Sequence, residues 1–311
     1  MRDVFITRLL ERASVDQRII LVTGDLGFGV LTEFADKLPK QFINAGIAEQ
    51  TMTGLAAGMA LEGRVVFTYS IANFPTLRAL EQIRNDAAYH DASVKIVSVG
   101  AGFSYGALGM SHHATEDLAI MRAIPQISIF SPGCLWEAEH MADVLIETRG
   151  TCYLRLDKSS AGRTNKPNEV FFPGKMRQLR QGNDGVIFAT GGILEVALRA
   201  SDYLRQHGFS LRVYSVHSLS PFDSNELLSA VSECKTCFTL EEHRVEGGLG
   251  GLVAEICMEA GVYPDFFYRF GLRGGFTSIV GSQDYLRKHN GINYDQVRDF
   301  IHGTLQKNGN K

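Results

Sequence analysis

Residues 43–63 read INAGIAEQTMTGLAAGMALEG, a short apolar strand that turns into a run of small and apolar residues. Glu49 is the only ionisable side chain between Asn44 and Leu61, and it lies at the turn. In a strand–helix unit, the carboxyl end of the strand and the first helical turn face the ligand crevice. The stretch therefore predicts a βα unit with a carboxylate at its binding edge. The helix dipole also favours an acid there, so a simple capping role for Glu49 stays open at this point.

Outward from this unit, apolar strand-like runs alternate with helical patterns along the chain. The runs are RIILVTGD, RVVFTYS, VKIVSVGAG, QISIFSPG and TCYLRLD, followed later by GVIFATGG, LRVYSVHSLSP and KTCFTLEEH. Such alternation predicts parallel sheets with helices on both faces. The stretch 166–184 is polar and rich in Gly, Pro, Asn and Lys, which is typical of a linker. We predict an α/β fold of two doubly wound domains, 1–165 and 185–311, joined by a linker at 166–184.

Composition excludes several classes of protein. The 311 residues carry a formal net charge of -3, with 45% hydrophobic and 21% charged residues, which leaves no electrostatic footprint for nucleic acid. The N-terminal MRDVFITRLLERASVDQ lacks the apolar core of a signal peptide, and no apolar run approaches the roughly 20 residues of a membrane span. We expect a cytoplasmic protein whose five cysteines are buried thiols.

Three local motifs could suggest metal or phosphate sites. Cys234 and Cys237 form a C-x-x-C, but no second Cys/His pair stands at metal-ligand spacing, so we predict no metal site in this chain. Gly191–Gly192 and the GGLGG run at 247–251 each follow a strand and precede a helix. Neither matches a dinucleotide or P-loop motif, so tight turns are the favoured interpretation, with an anion site as the alternative.

Four stretches, in this order, resemble the transketolase and deoxyxylulose-phosphate synthase group. They are GIAEQTMTGLAAGMALEG, YSIANFPTLRALEQIRNDAAY, AGFSYGALGMSHHATEDLAIMRAIP and CYLRLDK. They resemble, respectively, the segments that carry the catalytic glutamate, the aromatic packed on the cofactor, the histidine loop and the closing strand of the domain. TLEEHRVEGGLGG and GSQDYLRKHNGI look like the C-terminal domain of the same enzymes, so the resemblance covers nearly the whole chain. It implies a pyrimidine-binding domain, a transketolase C-terminal-like domain and thiamine diphosphate as cofactor.

The resemblance implies roles for five residues beside the cofactor. Glu49 would hydrogen-bond the pyrimidine ring and favour the imino tautomer that activates the cofactor. Phe74 would pack against the aminopyrimidine, with Ile71 and Leu77 on either side, where relatives often carry aromatics. Asp25, in the TGD turn, matches an acidic position near the cofactor, although a turn-forming aspartate explains it nearly as well.

The resemblance also implies residues that face the substrate. His112 matches a catalytic histidine that lies opposite the reacting carbon. His113, which stands where the family has glutamine, Tyr105 and Arg155 are predicted substrate contacts. Arg155 would serve as an anion clamp, because its planar fork suits phosphate or carboxylate. His243 is expected to be structural or at the edge of the site.

One loop departs from the family pattern. Transketolases proper have a histidine and an aspartate in this loop, and this chain has Gly100 and Leu108 at those positions. Loss of polar groups removes hydrogen bonds that would select matching substrate hydroxyls. We therefore predict a substrate outside the usual pentose-phosphate set.

A missing motif predicts a partner. In the family, Mg²⁺ and the diphosphate are held by a G-D-G motif with a later Asn, and GDLG at 24–27 does not match it. The resemblance thus implies an N-terminal partner subunit that holds Mg²⁺, in an α2β2 heterotetramer. The predicted function is the C-terminal subunit of a split transketolase-like enzyme, which moves a two-carbon ketol unit from a ketose (phosphate) donor to an aldehyde. The alternatives are a 2-oxoacid dehydrogenase β subunit, a deoxyxylulose-phosphate-synthase-like carboligase, or a non-catalytic subunit that stabilises its partner.

Overall fold

The structure is a computed structural model that describes residues 1–309. The first half of the chain alternates strands and helices. In chain order its elements are α1 (Arg2–Ala13), β1 (Ile19–Thr23), α2 (Thr32–Lys37), β2 (Phe42–Asn44), α3 (Glu49–Leu61), β3 (Val65–Ile71), α4 (Leu80–Gln82, continued by a π-helix over Ile83–Ala88), β4 (Val94–Val99), two 3₁₀ turns (Gly106–Leu108 and Met110–His112), α5 (Asp117–Arg122), β5 (Ser128–Phe130), α6 (Leu135–Glu147) and β6 (Cys152–Leu156).

The second half repeats the alternation. Its elements are β7 (Arg177–Arg180), β8 (Gly185–Thr190), α7 (Leu194–Gln206), β9 (Leu211–Ser215), β10 (Ser218–Ser220), α8 (Ser224–Glu233), β11 (Thr236–Arg244), α9 (Leu249–Glu259), β12 (Phe266–Leu272), α10 (Gln283–His289) and α11 (Tyr294–Gly309). Among residues 1–309, no helix is both long and apolar enough to cross a membrane.

The first sheet has seven strands in the order β10-β5-β6-β4-β3-β1-β2, and all of its pairs are parallel except β10 with β5. Helices cover both faces. Phe67 of β3 packs into one core cluster with Phe5 of α1, while the adjacent Val66 packs into the other with Met52 of α3. Because both faces are buried, the central strands are mostly apolar, although β4 also buries Lys95 and Ser98. This confirms the α/β prediction for the first domain.

The second sheet has five strands in the order β12-β11-β8-β9-β7, parallel except for β7 against β9. Strand β7 lies inside the segment 166–184 that the sequence predicted as a linker. That polar segment therefore contains an edge strand of the second sheet. All five cysteines are buried and free.

The glycine-rich stretches form turns, as the sequence favoured. Gly191 and Gly247 have φ of 74° and 72°, a conformation that glycine adopts at no steric cost. At the start of α9, the backbone N–H groups of Leu249 and Gly250 donate to the Glu241 carboxylate at 2.7 and 2.8 Å. The chain's own carboxylate thus fills the anion position that the GGLGG run offered.

Candidate active site

The site is built from Glu49, the first residue of α3. Its side chain is only 2% exposed. The turn before it passes through Gly46 at φ 73°, which lets the chain reverse from β2 into the helix. One carboxylate oxygen of Glu49 accepts a hydrogen bond from Nη1 of Arg78 at 2.8 Å. A buried carboxylate at a helix N-terminus is thus held at the carboxyl edge of the sheet.

Phe74 follows strand β3, and Arg78 links its ring to this carboxylate. The guanidinium carbon of Arg78 lies 4.6 Å from the centroid of the Phe74 ring, within cation–π distance. Arg78 therefore contacts both Phe74 and Glu49. Of the two predicted flanking residues, Ile71 is partly buried at the end of β3, whereas Leu77 is exposed. Neither supplies an aromatic ring beside Phe74.

His112 lies next to Phe74 and extends the cluster of Glu49, Arg78 and Phe74. Its ring centroid lies 5.1 Å from that of Phe74 in an edge-to-face arrangement and 6.5 Å from that of Tyr105. Nδ1 of His112 is 3.0 Å from Oγ of Ser111. Burial, and then the neighbouring His113, lowers the pKa of His112 from its ordinary value. The imidazole is therefore neutral near pH 7.

Tyr105 ends the cluster beside a lysine. Nζ of Lys158 lies 3.8 Å from the centroid of the Tyr105 ring, and burial raises the pKa of Tyr105. A Cβ added at Gly100, where φ is 104°, would lie 2.2 Å from the Tyr105 ring. Position 100 thus accepts no side chain while Tyr105 is in place. The loop departs from the family pattern at Gly100 because Tyr105 fills the space beside this glycine.

Asp25 and His113 are two of the predicted site residues that lie outside the cluster. Asp25 is exposed at φ 57° and accepts a hydrogen bond from Nδ2 of Asn44 at 2.9 Å, which braces the turn after β1 against the end of β2. His113 is 3% exposed, packs edge-on against Phe103 at 5.1 Å and lies 3.3 Å from the Gly106 carbonyl. The geometry favours a structural role for both residues.

Arg155 is buried between the two domains. It is 1% exposed, and its Nε donates to Oδ2 of Asp117 at 2.8 Å. Its Nη2 donates to the backbone carbonyls of Ala114 and Glu242, the second of which belongs to β11. This arrangement favours a brace between domains over the predicted anion clamp.

His243 occupies the same buried interface. Its Nε2 lies 4.0 Å from Oδ1 of Asp117 and accepts a hydrogen bond from the Ala119 backbone at 3.3 Å. Burial lowers the pKa of His243 to about 4, so the ring is neutral at physiological pH. The prediction of a structural or peripheral position agrees with this placement.

Both halves of the chain match known domain families. Residues 1–163 match the family model described as "Transketolase, pyrimidine binding domain", and residues 174–297 match "Transketolase, C-terminal domain". This chain belongs to the transketolase family. It contains the pyrimidine-binding and C-terminal domains, as the sequence predicted.

Similar proteins place this transketolase chain among the separately encoded subunits. It is 35% identical over 301 residues to a subunit of the apulose-4-phosphate transketolase of Actinobacillus succinogenes, covering 96% of each chain. It is 32% identical over 308 residues to 6-deoxy-6-sulfo-D-fructose transketolase subunit SqwH of Clostridium sp., covering 99% of this chain and 95% of that one. The chain therefore corresponds to the C-terminal subunit of a split transketolase.

Solved structures agree with this placement. A structure titled "Split gene transketolase, inactive beta4 tetramer" superposes with a TM-score of 0.86 at 32% identity, covering 98% of this chain and 97% of that one. Transketolase from Campylobacter jejuni superposes with a TM-score of 0.81 at 17% identity over 46% of its length, which shows a shared fold.

The structure adds to the cluster around Glu49 and Phe74 one residue that sequence reasoning missed. Arg78 lies within the aromatic segment, four residues after Phe74, and contacts both Phe74 and Glu49. A basic residue one turn beyond the stacking aromatic is the only signal that could have identified it.

A second group that sequence reasoning missed holds the histidine loop from the other domain. Oε1 of Glu242 accepts a hydrogen bond from the Phe103 backbone at 2.5 Å, while Arg287 and Gln283 also donate to the Glu242 carboxylate. Glu242 is 1% exposed, and burial raises its pKa. Because these residues are far apart in sequence, no local motif could have identified them. The second domain thereby fixes the loop that carries Tyr105 and His112.

Proposed function

We propose that this chain is the catalytic C-terminal subunit of a split transketolase, transferring a two-carbon ketol unit from a ketose to an aldehyde with thiamine diphosphate, in the cytoplasm. The observation that carries the proposal is the buried Glu49 carboxylate, which Arg78 links to the Phe74 ring, with the His112 ring 5.1 Å from that of Phe74. A carboxylate, a stacking aromatic and a neutral imidazole at one sheet edge are the groups that such a site requires. A stabilising subunit without catalysis would not need this cluster.

The residues present fit the aminopyrimidine ring of the cofactor. Arg78 already places a flat, N–H-bearing group at 4.6 Å over Phe74 while donating to Glu49 at 2.8 Å. An aminopyrimidine would make the same two kinds of contact. When bound, thiamine diphosphate supplies the nucleophilic carbon that takes up the ketol unit. Glu49 would hold a proton at the pyrimidine nitrogen, and Phe74 would fix the plane of the ring.

His112 is proposed to act on the substrate side. Because its pKa is lowered, the ring presents one N–H donor and one acceptor nitrogen at neutral pH. Ser111 contacts Nδ1, which leaves Nε2 for a substrate oxygen. His112 could therefore accept or donate a proton at a hydroxyl of the ketol unit.

Lys158 is proposed to meet a negatively charged end of the substrate. The two subunit relatives are named for a ketose phosphate and a sulfonated ketose, both with anionic ends. Lys158 is exposed and lies over Tyr105, at the end of the cluster opposite Glu49. It takes this role in place of Arg155, which is buried.

The proposal includes a partner that covers this edge. Five large apolar side chains are exposed on the loops and helix starts around the site, namely Phe28, Ile47, Leu77, Leu108 and Met110. A group of exposed apolar residues at one edge is typical of a protein interface. We propose that an N-terminal subunit, which holds Mg²⁺ and the diphosphate, docks here in an α2β2 heterotetramer.

The test is reconstitution with the N-terminal subunit from the same genome. The mixed subunits, with thiamine diphosphate and Mg²⁺, are assayed against a panel of phosphorylated and sulfonated ketoses with aldehyde acceptors, and separately against pyruvate. Ketol transfer by the mixture, with no turnover by this chain alone, supports the proposal. Decarboxylation of pyruvate without ketol transfer would instead favour a carboligase or dehydrogenase subunit.

Replacing Phe74 with alanine is expected to weaken binding of thiamine diphosphate to the reconstituted complex by about two- to tenfold. The reason is the loss of roughly 0.5–1.5 kcal/mol of aromatic stacking. Calorimetric titration measures the dissociation constant. Phe172→Ala, an exposed aromatic in the 166–184 segment, is the matched control. Equal affinities for the two variants would contradict stacking on Phe74.

A further inference from the structure

We infer that Arg78 is a resident counterion that exchanges places with the aminopyrimidine ring each time the cofactor binds. The inference rests on the proposed function, because it takes Glu49 and Phe74 as the cofactor's contacts. It adds a residue that sets the cofactor affinity of this subunit.

The two contacts of Arg78 are the two groups assigned to the ring. Its guanidinium lies over Phe74 at 4.6 Å and donates to Oε2 of Glu49 at 2.8 Å. A ring stacked on the same face of Phe74, with a nitrogen at Glu49, would overlap the guanidinium. Only one of the two planar groups can therefore hold this position at a time.

The burial of the two partners decides which one moves. Glu49 is 2% exposed, whereas the Arg78 side chain is 47% exposed. A buried carboxylate without a partner is unfavourable, so Glu49 keeps a donor at every stage. The half-exposed guanidinium can turn into solvent, where water hydrates its charge while the ring takes its place as the donor to Glu49. Arg78 leaves when the ring arrives and returns when it departs.

This exchange weakens apparent cofactor affinity. When the competent state is only a fraction of the population, the apparent dissociation constant rises by the inverse of that fraction. If Arg78 covers Phe74 about nine-tenths of the time, its removal tightens binding about tenfold. The same removal leaves the free subunit with an unpaired buried carboxylate, which lowers its melting temperature.

The experiment compares Arg78→Ala and Arg78→Lys with Arg84→Ala. Arg84 is an exposed arginine on the next turn whose side chain donates to Asn85. Thiamine diphosphate with Mg²⁺ is titrated into each reconstituted complex by calorimetry, and each free subunit is melted without cofactor. For Arg78→Ala we expect a dissociation constant about tenfold lower and a melting temperature lower by roughly 2–4 °C. Arg84→Ala should match the wild type, and Arg78→Lys, which lacks the planar group, should lie between.

Any other effect of Arg78→Ala on cofactor binding would contradict the exchange of Arg78 with the aminopyrimidine ring. Weaker cofactor binding by Arg78→Ala would make Arg78 a cofactor contact, and unchanged binding would make it a bystander. Either result leaves the proposed function intact, provided that Phe74→Ala still weakens binding. A wild-type complex that binds no thiamine diphosphate would instead refute the proposed function and the exchange together.

Discussion

Replacing Glu49 with glutamine is expected to lower kcat of the reconstituted complex by about a hundred- to ten-thousandfold, the usual range for a lost acid–base group. Glutamine keeps the size and can still hydrogen-bond the ring, but it cannot hold or release a proton. Subunit association should be unchanged, because the side chain is buried at the start of α3. Steady-state turnover with a ketose donor and an aldehyde acceptor measures the effect.

Glu62→Gln is the matched control, since Glu62 is an exposed glutamate at the far end of the same helix. It should leave kcat unchanged. Full turnover by Glu49→Gln in an assembled complex would contradict the catalytic assignment. The chain would then have to be regarded as a subunit that only stabilises its partner.

Replacing Asp117 with asparagine is expected to lower the free energy of unfolding by about 3–5 kcal/mol, the usual loss when one partner of a buried ion pair is removed. Oδ2 of Asp117 accepts hydrogen bonds from Nε of Arg155 at 2.8 Å and from the Tyr153 hydroxyl at 2.5 Å. Without that charge, the 1% exposed guanidinium loses the carboxylate that pairs with it. Urea unfolding, followed by the fluorescence of the single tryptophan, Trp136, measures the change.

Glu33→Gln is the surface control for this prediction. Glu33 pairs with Lys37 at 2.6 Å, but both side chains are more than 60% exposed, so its loss should change stability by less than about 1 kcal/mol. Adding Arg155→Met to Asp117→Asn removes the stranded charge and should recover part of the loss. Equal stability of Asp117→Asn and Glu33→Gln would contradict a buried brace between the domains.

Much of the fold could be predicted because its strands are buried on both faces. Runs such as VVFTYS follow directly from that burial, and their alternation with helices indicates a parallel sheet. Two edge strands escaped prediction, the antiparallel β7 and the parallel β12, and β10 was not recognised as a separate strand within the predicted run LRVYSVHSLSP. Strand β7 reads RQLR and β10 reads SLS, and neither has an apolar pattern long enough to be recognised. Their pairing is decided by tertiary contacts alone.

The residues of the candidate site were likewise only partly predictable from the sequence. Glu49, Phe74 and His112 lie in local motifs, and the structure brings their side chains together. Arg155 and His113 belong to the same motifs but face the interior, where Arg155 bonds to β11 and His113 packs on Phe103 of its own loop. Arg78 also lies in a motif, but only its hydrogen bond to Glu49 in the structure identifies it as part of the site. Sequence identifies which residues are available, and packing decides which of them reach the crevice.

Strand β10 has a consequence for how this subunit can be divided. It lies after β7, β8 and β9 of the second sheet, yet it pairs with β5 of the first, and the chain then returns to the second sheet. No single cut of the polypeptide leaves both sheets whole, and a chain shortened after β6 would expose β5 as an open edge prone to association. The second half of the chain therefore supplies a strand to the first sheet. Recombination between relatives would have to exchange both domains together to keep that pairing intact.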